Sequence, residues 1–178
     1  RHADERVHVL RVSRTMGEAE ARNIGLKQSH GRYILLLDSS IELTGDVFTP
    51  LAQALANEQI GITGLHGLQT DDLRHFEESK RLHVEVIDKL CMAFRRKLLK
   101  QAGLFDEGYR YPFYMDIDFN FAVRDSGTEI VVTPNLPIAC YPVLQHAGLS
   151  DAERSRLTKR NFYRFLEKWG DREDLLVQ

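Results

Sequence analysis

The sequence predicts an α/β fold, a mostly parallel mixed sheet flanked by helices, on three observations. Candidate strands and helices alternate along the chain, an apolar run at Tyr33–Leu37 ends on Asp38, and the chain closes with a strongly amphipathic helix. Taken in order, Val7 to Val12 alternates apolar and polar residues as a half-buried strand does, and Gly17 to Lys27 follows with helix formers until Gly31 stops it. Tyr33–Leu37 is too short for a free helix and apolar throughout, as expected of a strand covered on both faces of a parallel sheet. Thr49-Pro50 reads as an N-cap and first helical residue, with Leu51, Ala54 and Leu55 at helical spacing behind it. Ile60 to Leu65 returns as a strand, and Gln69 to Leu82, polar and without a period, reads as a mobile excursion over one edge.

Val84 to Phe94 is apolar and β-rich, and Arg95 to Ala102 reads as a short helix ended by Gly103. A helix is expected from about Asp116, because Met115, Phe119, Ala122 and Val123 share a face before Gly127. Glu129 to Thr133 is a further strand, and Pro134, Pro137 and Pro142 keep the next stretch extended or turned. Ser150 and Glu153 form a capping-box pattern for the final helix, whose stripe is Phe162, Phe165, Leu166 and Trp169.

Composition limits the function. With 178 residues, 43% hydrophobic and 28% charged, the chain is expected to form one domain with a real core and is too polar for a membrane protein. Lys+Arg at 24 against Asp+Glu at 26 gives a net charge of -2, so nucleic acid is not an expected partner. Cys91 and Cys140 lie in apolar stretches, which points to buried free thiols and a cytoplasmic setting. The chain opens on Arg1 without an initiator Met or a signal region, and reads as an excised domain or trimmed product.

The order predicts where a ligand goes. Ligand crevices in open α/β sheets lie outside the carboxyl ends of the strands, so Asp38, Ser39 and Ser40 should face one, although Asp and Ser are also ordinary turn residues. Asp116 at a helix start is either a functional carboxylate or an N-cap. Arg95 and Arg96 are either a phosphate contact or a solvated pair, and His66, His75 and His83 show no metal-ligand spacing. No Gly-x-Gly-x-x-Gly or phosphate-loop sequence supports a nucleotide module of unrelated chemistry.

Several short segments recur together in one family. Ala21-Arg22-Asn23-Ile24-Gly25 precedes Tyr33 to Ser40; Arg95-Arg96 and Gly103-Leu104-Phe105-Asp106-Glu107 follow; Met115-Asp116-Ile117-Asp118, His146, Ser150 and Lys168-Trp169-Gly170 close the set. From about Gly17 to Gly170 the chain resembles family-two glycosyltransferases of the GT-A (Rossmann-like) fold, N-terminally truncated because the family's first strands have no counterpart before Arg1. The resemblance implies one domain, with 1–66 the remainder of the donor-side half, 67–150 the acceptor-side half and 151–178 the C-terminal helix and tail. It implies inverting transfer of a sugar from a nucleoside-diphosphate sugar to a glycan, lipid or protein acceptor, with Asp116 as base. Arg22, Asn23, Asp38, Ser39, Ser40, Arg95 and Asp118 fall in its donor or substrate-binding set, although Asp118 also suits a structural role. A Mg²⁺ or Mn²⁺ ion would be held by Asp38, Ser40 and His146, although a lone His is more often an ordinary loop residue.

Three departures from the family pattern set a competing expectation. Ser40 replaces the second Asp of the Asp-x-Asp motif, which should lower metal affinity, and Met115 replaces the Glu beside Asp116. With the first strands also absent, the alternative is a non-catalytic domain that keeps the fold to bind carbohydrate or a partner domain, and an uncovered sheet edge would favour a homodimer or an additional domain.

Overall fold

The protein is described by a computed structural model over residues 6–11, 16–109, 113–141 and 150–177. Helix α1 spans Glu18–Gln28, followed by strands β1 (Tyr33–Leu37) and β2 (Ile41–Leu43), helix α2 (Phe48–Ala54) and strands β3 (Ile60–Gly64) and β4 (Gly67–Gln69). Strands β5 (Glu77–Ser79), β6 (Val86–Ile87) and β7 (Cys91–Arg95) come next, then a 3₁₀ turn at Arg96–Leu98 and helix α3 (Leu99–Ala102). Helix α4 (Met115–Asp125), strands β8 (Glu129–Val132) and β9 (Ile138–Cys140) and helix α5 (Asp151–Trp169) complete the regular elements, with a last 3₁₀ turn at Glu173–Leu175.

The central sheet has the order β1-β7-β3-β8. β7 pairs antiparallel with both β1 and β3 while β3 and β8 pair parallel, so β1, β3 and β8 run one way and β7 alone is reversed. The carboxyl ends of β1, β3 and β8 therefore share one rim with the start of β7. On β1, Ile34 and Leu36 pack into one core cluster and Leu35 into another, so its unbroken apolarity does reflect two covered faces. It is nevertheless an edge strand with an antiparallel neighbour, and Tyr33 and Leu37 at its ends are exposed.

Two layers of core lie on either side of α4. Met115, Phe119 and Val123 face the sheet and α1, while Ile117 and Phe121 meet Phe165 and Trp169 of α5; Ala122 turns to this second cluster rather than the first. The Ser150–Glu153 capping box is formed, and both chain-reversing glycines at helix ends, Gly103 and Gly127, take positive φ (82° and 81°) that a side chain would resist. β2 pairs with β9 in a separate ribbon.

Several sequence expectations are corrected. Residues 7–11 form no strand, and Val7, Val9 and Leu10 are exposed; Val12 lies outside the described residues. Segment 69–82 is no formless excursion: β4 and β5 pair, β6 joins them in a three-stranded sheet, and buried Leu73 plugs the connecting loop into the core at φ 61°. Its strands are too short to show a period. Helix α2 starts at Phe48, where the Asp46 carboxylate accepts from the Phe48 and Thr49 N–H groups at 2.9 and 3.1 Å, so Asp46 and not Thr49 does the capping. Arg95 ends a strand rather than starting a helix. Cys91 is buried, and burial pushes its thiol up to about 11, but Cys140 is exposed; both are free thiols.

Candidate active site

The rim predicted from the strand order carries both acidic candidates, and one turn joins them. Asp88-Lys89-Leu90 links β6 to β7. The Leu90 carbonyl accepts the Asp38 N–H at 2.9 Å, and the Lys89 N–H donates to Asp116 Oδ2 at 3.1 Å. Asp38 follows β1 and Asp116 opens α4, so a main-chain turn of three residues sets the spacing of two carboxylates that are far apart in sequence.

Asp116 does not cap its helix. The N-cap position belongs to Tyr114 in the left-handed region at φ 70°, a strained backbone for a tyrosine, held by ring contacts to Phe76, Phe162 and Phe165. Asp116 sits one residue inside the helix. Loss of water around its carboxyl raises its proton affinity above the ordinary value, and this outweighs the opposing pull of Lys89, of the helix's first N–H groups and of Arg22. The helix end alone would have lowered it. Asp116 lines a cavity of about 580 Å³ with Asp88 and Lys89, walled by Phe76, Phe113, Tyr114 and Ile117. Burial, reinforced by the like charge of Asp116, pushes the Asp88 carboxyl up to about 6 despite the hydrogen bond it accepts from the Leu90 N–H at 3.0 Å.

Asp38 is tuned the other way. Partial burial opposes its charge, but the Ser40 hydroxyl (2.7 Å) and Ser40 N–H (2.9 Å) both donate to its Oδ1, and Lys89 and Arg22 add positive charge, so its carboxyl lies below the ordinary value. Ser40 is buried and closes this turn, while Ser39 is exposed. Arg22 reaches the Lys89 carbonyl at 3.2 Å and Glu18 at 2.8 Å, and Lys89 Nζ meets the same Glu18 carboxylate at 2.9 Å. Glu18, Asp88 and Lys89 were not singled out from sequence; only the apolar-to-charged switch at Ile87-Asp88, just ahead of a strand, signals them.

Other candidates are drawn into the scaffold instead. Asn23 is buried; its Nδ2 donates to the Phe105 carbonyl (2.8 Å) and Glu107 Oε1 (2.9 Å), and its Oδ1 accepts the Phe105 N–H (3.0 Å). It clamps α1 to the Phe105-Asp106-Glu107 turn and offers no free group to a donor. Buried Arg95 donates to the carbonyls of Leu55, Asn57, Glu58 and Ile60. Because Arg95 pairs with Tyr33 while Cys91 pairs with Leu37, it stands at the opposite end of β7 from Asp38, which corrects the phosphate-contact reading. Arg96 binds the Gly31 and Leu26 carbonyls and the Ser29 hydroxyl. Asp118 takes the structural role expected of it rather than a place in the substrate-binding set: buried, it accepts from Trp169 Nε1 (2.8 Å), Lys168 Nζ (2.9 Å) and the Tyr109 hydroxyl (3.3 Å), fastening α5 to α4. Met115 is in the core, so no acidic group beside Asp116 is missing from the cavity wall. His146 lies outside the described residues.

A divalent cation of the hard, oxygen-seeking kind finds little here. Among the described residues no three His, Cys, Asp or Glu side chains cluster as a metal site. Asp38 contributes one oxygen not already bonded to Ser40, and the Ser40 hydroxyl proton is committed to Asp38. The described residues do not fit a tightly held ion.

Comparison with known proteins identifies the class: the mixed sheet flanked by helices is that of GT-A glycosyltransferases. The chain matches the family model "Glycosyl transferase family 2" over residues 1–118 and belongs to that family. Among solved structures it is similar to GalNAc-T7 crystallised with UDP, GalNAc and Mn²⁺ (TM-score 0.71, 16% identity, 93% of this chain and 37% of that one). It is similar too to the mannosyltransferase PcManGT from Pyrobaculum calidifontis in complex with GDP-Man and Mn²⁺ (TM-score 0.61, 17% identity, 92% and 49%). A third is the catalytic domain of Drosophila β1,4-galactosyltransferase 7 in complex with xylobiose (TM-score 0.56, 16% identity, 84% and 63%). At these identities the likeness is one of fold, and the chain spans 37% to 63% of those chains. No curated protein sequence matches it. Among the described residues no helix is long and apolar enough to cross a membrane.

Proposed function

We propose that this chain carries the reaction centre of an inverting glycosyltransferase that moves a sugar from a nucleoside-diphosphate donor to a hydroxyl of a glycan, lipid or protein acceptor. The observation that supports it is Asp116: a carboxylate with raised proton affinity, fixed by a backbone N–H on the wall of a 580 Å³ cavity, one turn away from Asp38. An acceptor hydroxyl in that cavity gives its proton to Asp116 as its oxygen attacks the anomeric carbon, and raised basicity favours that transfer. A single displacement with one base inverts the configuration. Residues 1–66 serve the donor side, 67–150 the acceptor side, and 151–178 brace α4 from behind. A Mg²⁺ or Mn²⁺ ion, if the donor brought one, would be held by Asp38 with Ser40 and His146 as the remaining members of the set, and would supply charge to the departing diphosphate. Two free thiols support a cytoplasmic setting, and the open side of β1 supports a further domain or a second copy as neighbour.

The test is turnover of a panel of nucleoside-diphosphate sugars by the full-length protein, with the product's anomeric configuration read by NMR. Asp116→Asn should cut kcat by about 10²- to 10⁴-fold with donor affinity kept. Equal turnover by Asp116→Asn would refute the assignment. Ser40 in the metal motif favours the second reading, a module that binds carbohydrate without turning it over; glycan binding by a protein inert toward every donor would establish it.

A further inference from the structure

Among the described residues the site lacks the acidic set for a tightly held ion, yet two cationic side chains, Lys89 and Arg22, stand beside Asp38 and Asp116. Lys89 and Arg22 share one counter-ion, Glu18, so the three side chains together carry a net single positive charge. Both cations lie close enough to Asp38 and Asp116 for each carboxylate to feel them. The Lys89 side chain is mostly buried, lines the cavity, and its Nζ uses one of three protons, on Glu18. Arg22 Nη1 makes no hydrogen bond within the described residues, while Nε and Nη2 are held on Glu18 and the Lys89 carbonyl. The positioning of Asp116 is done by the Lys89 backbone, which leaves its side chain without a structural task beyond Glu18.

We infer that Lys89, steadied with Arg22 on Glu18, is the group that receives the donor's diphosphate, so that binding and departure of the diphosphate depend on these two fixed cations rather than on a bound metal ion. The inference rests on the glycosyltransferase reading above. In the transfer, the anomeric carbon–oxygen bond to the diphosphate breaks with both electrons leaving on oxygen, and the acceptor oxygen bonds to that carbon. Its proton passes to Asp116, and the negative charge gained by the diphosphate is met by Lys89 and Arg22. Such preorganised charge costs no rearrangement as the bond breaks.

Calorimetric titration of the full-length protein with UDP, GDP and inorganic pyrophosphate, each in EDTA and in Mn²⁺, tests it. The expected result is binding in EDTA within a few-fold of that in Mn²⁺, weakened about 10- to 100-fold in Lys89→Gln, as for loss of a charge-assisted hydrogen bond, and largely restored in Lys89→Arg. Glu18→Gln keeps an oxygen acceptor that can steady both cations while removing its negative charge, so binding should be kept or tightened; a merely structural ion pair would lose binding with the charge. Binding that requires Mn²⁺ and ignores Lys89→Gln would overturn the inference and leave the transferase reading standing. Absence of binding to any diphosphate under both conditions would overturn both.

Discussion

Replacing Asn23 with alanine separates a scaffold residue from a donor contact. The side chain satisfies both main-chain groups of buried Phe105, accepting its N–H at 3.0 Å and donating to its carbonyl at 2.8 Å, across a sequence separation of 82 residues. Truncation leaves one buried donor and one buried acceptor unpaired, each costing about 1 to 3 kcal/mol, so a loss of about 3 to 4 kcal/mol is expected. The bond to Glu107 adds little because that carboxylate is exposed. With a urea m-value of about 2 kcal/mol/M for a domain of this size, the unfolding midpoint should fall by about 1.5 to 2 M. Asn23→Asp should cost at least as much, since it sets a negative charge against the Phe105 carbonyl and the Glu107 carboxylate. Donor affinity of the folded fraction, by calorimetry below the transition, should change less than about twofold. A midpoint shift under about 0.5 M together with weakened donor binding would refute the clamp and return Asn23 to the donor site.

Two further outcomes follow from the charges around the sheet. Asp88, whose carboxyl burial pushes up to about 6 from 3.8, binds its proton more tightly folded than unfolded, so its contribution becomes destabilising as pH rises from about 4 and is fully so above about 6. Asp88→Asn, which keeps an acceptor for the Leu90 N–H, should therefore gain on the order of 1 to 2 kcal/mol at pH 7 and nothing at pH 4, read from urea midpoints at the two pH values. Arg95→Met strips the donors from four carbonyls at the end of the sheet away from Asp38, and should cost about 3 kcal/mol in denaturation while leaving kcat/KM of the folded enzyme unchanged.

Local signals gave the parts of the fold that repeat. The stripe of α5 with its Ser150–Glu153 box, the apolar run of β1 and the helix at Asp116 stand where the residues place them, because each is long enough or capped strongly enough to carry its own pattern. Strands of two or three residues, β4 to β6, carry none. Of the candidate site, the two acidic positions came from motif and topology, while Asn23, Arg95 and Asp118 have residue types that serve ligand and scaffold equally. What decides between those roles is a partner such as Phe105 or Trp169 that only folding brings near. Lys89 and Asp88 escaped notice because a turn that works through its main chain looks like any other turn in sequence.

That same turn separates two jobs which active sites often fuse. Since the peptide groups of Lys89 and Leu90 hold Asp116 and Asp38 in register, and the Asp88 carboxylate ties the turn at the Leu90 N–H, the side chains at 89 and 90 can be exchanged without moving either carboxylate. The charge and the width of the cavity wall beside Asp116 thus become two adjustable settings on a fixed frame. An engineer seeking to alter what the cavity accepts would begin with those two positions and leave the carboxylates alone.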